Sequence, residues 1–219
     1  MQYGNALRVV RASGTGILNA TANGSGLLIN NTQAYQDTYS GGAGSVGLWA
    51  ARTAGAHGNN LKVSICPSST AYEETSKTTV NNTNLAVGDT SVTVDTDATT
   101  YLNVGDIVQF STTGGGTDFD DGDFYRLTAV AATTLTIVQH PRGSGGLKRA
   151  VADDSRIKRR WKYYDSVDRA PGTSTFVSER SGSGDEIHVV VVDEDGGISG
   201  TPGRVLEAFS SLSKAADAK

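Results

Sequence analysis

The run Ile187–Val192, IHVVVV, constrains what this chain can fold into more than any other stretch. Apart from His188 it is β-branched throughout, and such side chains lose rotamer freedom in a helix but pack well on a pleated surface. It is too short to span a bilayer and too continuous for a half-exposed strand. The sequence therefore predicts a core strand buried on both faces. Asp193, Glu194, Asp195, Gly196 and Gly197 end the run with residues that favour solvated turns and positive φ. Pro202 and Gly203 mark a second turn before Val205, Leu206 and Phe209 resume apolar character. A strand, a turn and a returning strand or short helix are expected.

A chain of 219 residues can bury one good core or two small ones. Its 27 glycines and 7% aromatic content favour short strands and many turns over long helices. A net charge of −4 gives no general attraction to nucleic acid or to an anionic membrane, and no segment is apolar enough to span one. Cys66 is the sole cysteine, so neither an intrachain disulfide nor a cysteine-based zinc site is available.

Ala6–Arg11 reads as an opening strand, the apolar segment Val46–Arg52 as a second strand, and Leu61–Ile65 as a half-buried strand after the glycine-rich turn TAGAHGNN. Tyr35 and Tyr39 are spaced to share one helical face. Between Thr78 and Gly146 the texture changes. TSVTVD, DIVQFS, FYRLTAV and TLTIV are short, rich in Thr and Val, and separated by Gly, Asp and Asn clusters, as in a small antiparallel barrel or sandwich. A Val-Gly-Asp step recurs at Val87–Asp89 and Val104–Asp106, so two turns are expected to be built alike. The loop GGGTDFDDGD reads as solvated. Lys148–Lys162 reads as a basic connector, and the residues after Phe209 as a polar tail.

Few motifs carry chemistry. GAGSVG, with Gly42, Gly44 and Gly47, matches G-x-G-x-x-G but follows the polar residues AYQDTYSG where a dinucleotide site needs an apolar strand. Asp118, Asp120, Asp121 and Asp123 cluster carboxylates without the register of an EF-hand, since Ala129 stands where its closing Glu would be. His57, His140 and His188 lie at no ligand spacing to one another. His188 with Asp185 and Glu186 sketches an acid/base cluster, but no nucleophile stands beside it. No enzyme activity and no cofactor are expected.

The sharpest constellation is Arg156, Lys158, Arg159, Arg160, Trp161 and Lys162, followed by Tyr163 and Tyr164. Cations interleaved with rings suit phosphates and bases, and equally a protein contact whose charges meet carboxylates on a neighbour. The acidic chain favours the second, so a subunit-contact strip is expected and nucleic acid is not.

Taken in order, YGNALRVVRA (Tyr3–Ala12), LNAT (Leu18–Thr21), GAHGNNLKVSI (Gly55–Ile65), APGTSTFVSERSGSGDEIHVVVVDEDGGISGTPGRVLE (Ala170–Glu207) and LSKAADAK resemble the tail sheath protein of contractile-tailed bacteriophages, in the version of cyanophage-like myoviruses. Ala54-Gly55 stands where the family usually has Pro-Gly, and residues 78–146 interrupt its pattern. The resemblance implies a predominantly β, α+β fold. Residues 1–77 and 147–219 would form a mixed β platform, and 78–146 an inserted antiparallel β-barrel or sandwich module. It implies a middle portion of a longer sheath subunit, without the N-terminal arm and C-terminal domain that weave subunits together and grip the tube. Such a subunit belongs to the virion. It polymerises helically with its own copies around the tail tube, contacts tube and baseplate, and contracts to drive the tube through the host envelope. The alternative is a decoration or adhesin protein that binds a cell-surface partner through the inserted module.

Overall fold

The computed structural model describes residues 16–39, 47–83, 85–120 and 122–215. The strand expected at Ala6–Arg11 and all of the GAGSVG motif but Gly47 lie outside the described residues. In chain order the elements are α1 (Thr32–Tyr39), β1 (Leu61–Cys66), α2 (Ser69–Tyr72), β2 (Glu73–Thr79), β3 (Ser91–Thr93), β4 (Ile107–Gly114), β5 (Tyr125–Val130), β6 (Thr134–Gln139), β7 (Ser155–Arg160), α3 (Thr175–Ser178), β8 (Glu186–Asp193) and β9 (Arg204–Ser213). The fold is predominantly β and its sheets are antiparallel.

The chain divides into two compact units. One takes the residues up to Val63 with Val191–Leu206, the other Ser64–Val190 with the residues from Glu207 onward. The dividing points fall within β1, β8 and β9, which make a three-stranded sheet with β8 in the middle. The Glu194 N–H donates to the Asn60 carbonyl, the Gly203 N–H to Asp193 and the Lys214 N–H to Asp185, so both neighbours run antiparallel to β8. The sheet is thus antiparallel where a mixed one was expected. The run Ile187–Val192 is the buried central strand its β-branched residues predict, and the return is a strand. β9 continues past Phe209 to Ser213, through residues that read as a polar tail. Backbone pairing with β8 holds it there, because nearly all of its side chains are exposed and leave no apolar pattern.

In the first unit, α1 stacks Tyr35 on Tyr39 with ring centroids 6.0 Å apart. The apolar segment Val46–Arg52 forms no strand where it is described: only Ala50 is bridged, to Thr21. Leu48 is 77% exposed and Trp49 41%. Asn19 sits at 0% exposure, donating to the carbonyls of Ala51 and Arg52 and accepting from the Ile29 N–H, so its amide ties three loops together.

The second unit is built on one six-stranded sheet in the order β2-β7-β4-β5-β6-β3. Alternation sends Val108, Phe110, Tyr125, Leu127, Leu135, Ile137 and Ile157 to one face, where they form the core with Val80, Val92, Val94 and Leu147. Of the barrel or sandwich expected here, the barrel does not form. β3 is three residues long and meets the far edge only at the Val80–Val94 bridge, which is too little for a ladder. β2 and β7 lie at or beyond the borders of residues 78–146 yet belong to this sheet.

The two Val-Gly-Asp steps are built alike. In each, the Asp N–H bonds the carbonyl three residues back, Asp89 to Ala86 and Asp106 to Asn103. The same Asp carboxylate accepts that residue's N–H, at 2.8 and 3.0 Å. Gly88 and Gly105 have φ of 94° and 99°, which a side chain would strain. The glycine N–H and aspartate carbonyl then clamp Leu147 in the first turn and Leu127 in the second. Aspartate is required for its carboxylate and glycine for its φ, so a three-residue motif sets a whole turn.

Candidate interaction site

β7 carries the basic strip, and it is an internal strand between β2 and β4. Ser155 and Ile157 face the core, so the period of two sends Arg156, Lys158 and Arg160 to the outer face. Glu73 lies opposite Arg160 in register, and its carboxylate takes Arg160 Nε at 2.5 Å and Lys158 Nζ at 2.7 Å. Burial opposes the Glu73 charge, but these two cations hold its carboxyl below the ordinary value. The Arg160 guanidinium carbon lies 5.0 Å from the Phe124 ring centroid and 5.5 Å from that of Tyr164. Lys158 Nζ stands 5.7 Å from the Phe119 centroid.

Arg159 turns the other way. Its Nη2 donates to the Thr70 carbonyl at 2.7 Å and Nη1 lies 3.8 Å from Asp106 Oδ2. Burial raises the Asp106 carboxyl despite the Asn103 N–H and Arg159. Trp161 is buried, with Nε1 donating to Ser64 Oγ at 3.1 Å and its ring edge-on to Tyr163 at 5.5 Å. Lys162 reaches over the Tyr163 ring at 5.2 Å. Arg156 donates its backbone N–H to Ser111 Oγ, while its side chain makes no ion pair among the described residues. The six residues are therefore brought onto one strand and its exit, but on two faces. Lys158, Arg159, Arg160 and Trp161 have partners within the chain.

The acid/base cluster dissolves into structure. Glu186 is buried and accepts both Arg169 terminal nitrogens at 2.7 Å, plus the Gly172 N–H at 2.9 Å. Arg169 first, against burial, and then the Gly172 N–H hold its carboxyl low. His188 bonds the Arg169 carbonyl through Nε2 at 2.7 Å and accepts the Ser211 N–H at Nδ1 at 2.9 Å, which fits the neutral ring protonated at Nε2. Asp185 caps Ser174 at 2.8 Å. Both nitrogens of the imidazole here are occupied, and the carboxylates serve Arg169 and backbone N–H groups.

The acidic loop is exposed along most of its described length, as its composition predicts, and only its last carboxylate is drawn in. Asp123 is 9% exposed and faces Arg149 Nε at 3.2 Å and Lys148 Nζ at 3.6 Å. Gln109 Nε2 pins the Asp120 carbonyl at 2.9 Å, drawing the loop over the outer face of β4. Among the described residues no group of three or more His, Cys, Asp and Glu is placed to hold a metal ion. Cys66 is buried and its thiol is pushed up to about 11 by burial, which favours the thiol over the thiolate at neutral pH.

Glu73 and Phe124, which engage the strip, and Arg126, which register through Ile107 puts on the same outer face as Arg160, were not visible in the sequence as its neighbours. The alternation in FYRLTAV puts Arg126 on the face opposite Tyr125 and Leu127, but only strand order brings β5 near β7. Glu73 opens a strand, EETSKTT, with no apolar alternation to announce it. Comparison with known proteins found no family model, no curated protein and no solved structure that matches the chain. No helix among the described residues is long and apolar enough to cross a membrane.

Proposed function

We propose that this chain is a structural subunit of a bacteriophage contractile tail sheath, a virion component that packs with its own copies around a tail tube. The observation that carries this is where the family-like segments fall. Gly55–Ile65 contains all of β1 but its last residue, Ala170–Glu207 contains β8 and the start of β9, and these strands from distant parts of the chain are neighbours in one sheet. Flanks that pair with one another are expected when the stretch between them is an insertion. In this proposal residues 1–77 and 147–219 are the platform and 78–146 the inserted module. That module contributes β3 to β6, and β2 and β7 serve as the stem that joins it. A sheath subunit binds copies of itself, tube and baseplate, and needs no cofactor and no catalytic step. Its contraction would exchange contacts between two subunit arrangements.

Within the strip, Arg156 and Lys162 are the cations without an ion pair among the described residues, and in this proposal they make the subunit contact. Arg156→Glu with Lys162→Glu in the full-length protein should leave the fold intact by circular dichroism and reduce the pelletable, polymeric fraction. Unchanged pelleting would remove the strip from the assembly contact.

A further inference from the structure

Arg160 is held in place by groups that use only part of it. Glu73 takes Nε, and the Phe124 and Tyr164 rings flank the guanidinium. Its two terminal nitrogens have no hydrogen-bond partner among the described residues, and the side chain is 21% exposed. Lost rotamer freedom is one cost of binding through arginine, and here the fold has already met it for Arg160. A second arginine stands on the same face. Ile107 is in register with Arg160 on one side and with Arg126 on the other. The two arginine backbones are therefore two strand spacings apart, roughly 10 Å. Ile107 between them is 1% exposed. Arg126 makes no ion pair among the described residues, and its Nη2 heads for the turn at Gly143, 3.8 Å from where a Cβ there would stand. His140, on that turn, has its ring 6.4 Å from that of Tyr164, which itself lies 5.5 Å from the Arg160 guanidinium carbon. Asp165 is exposed beside Tyr164 and forms no ion pair with either guanidinium.

We infer that Arg126 and Arg160, framed by Phe124, Tyr164 and His140, form a receptor site for one oxyanion, a carboxylate or a phosphate group, on the outer face of the six-stranded sheet. Two guanidinium groups on one sheet face, one of them already held by Glu73 with its terminal nitrogens unpaired, match a planar or tetrahedral oxyanion through charge-assisted bonds. A general basic surface would lack that arrangement. The site is local to β4, β5 and β7 and stands whether or not the chain is a sheath subunit.

The test is a ¹H–¹⁵N titration of the whole chain with sodium acetate in one arm and inorganic phosphate in the other, chloride holding ionic strength constant. Saturable shifts confined to Ile107, Arg126, His140, Arg160 and Tyr164 are expected, and the arm that saturates at lower concentration identifies the group bound. Arg126→Gln should weaken that binding about tenfold, the loss of one charge-assisted bond. Arg126→Lys, which keeps the charge without the fork, should fall between and guards against a folding defect in the first variant. Absence of localised saturable shifts in both arms, or equal affinity in Arg126→Gln, would overturn the site.

Discussion

Glu186 shows how a side chain that looks catalytic becomes structural. A buried carboxylate needs partners, and Arg169 and the Gly172 N–H supply them. A carboxyl held below its ordinary value of 4.5 favours the folded state fully above that value and gives this up as pH falls through its folded pKa. Glu73 and Asp193 act in the same sense. Burial opposes the Asp193 charge, but the Ser199 N–H and hydroxyl and the Ile198 N–H outweigh it. Thermal stability should therefore drop on acidification below about pH 4.5, and Glu186→Gln should lower the midpoint at pH 7 and shrink that drop, read by melts from pH 7 to 3. Asp106 works against this: its raised pKa makes its charged form cost stability as pH rises above 3.8. Glu73→Gln strips the shared partner from Lys158 and Arg160, and should cost about 1–2 kcal/mol in urea unfolding, the partial exposure of Glu73 limiting the loss.

At the scale of elements, the apolar strands were legible and the charged ones were not. β8, β4, β5 and β6 advertise themselves through β-branched runs or period-two alternation. β7 reads as a connector because only Ser155 and Ile157 face the core, while arginine and lysine stems cover the other face. Its internal position explains why Arg159→Glu and Arg160→Glu would test folding before any interface. Reversal at Arg160 would set a carboxylate against Glu73, and reversal at Arg159 would set one against buried Asp106. The turns carry as much information as the strands. A Cβ on Gly146 would stand 2.2 Å from the Gly88 carbonyl and 2.3 Å from that of Asp89, both backbone atoms of the first Val-Gly-Asp turn. Gly146→Ala should therefore destabilise the six-stranded sheet by about 1–3 kcal/mol, in the range of overpacking, although alanine is chemically minor. Phe110→Ala, at 1% exposure in the same core, should cost about 3–5 kcal/mol. Urea melts followed by tyrosine fluorescence would measure both. For the β8–β9 hairpin, Asp193→Ala should speed amide exchange at Ile198 and Ser199, whose N–H groups it now binds.

For the whole molecule, β-rich content and the change of texture after Thr78 followed from composition and pattern, whereas strand order did not. Nothing in GAHGNNLKVSI or DEIHVVVVDEDGG announces that β1 pairs with β8, nor that the Thr/Val-rich strands recruit β2 and β7 and stop short of closure. Pairing at long sequence separation is set by which faces bury together, a property of the assembled sheet. The candidate site divides the same way: its cations were visible as a run, while Glu73 and Phe124, which engage Lys158 and Arg160, come from outside it. β-rich units with a charged, ring-framed face suit mechanical assembly, and the proposed sheath role makes one observable demand. Negative-stain electron microscopy of the full-length protein, purified and concentrated under near-physiological salt, should show hollow tubes with a regular helical repeat. Dispersed monomers or closed small oligomers under all conditions in which the protein remains folded would contradict it.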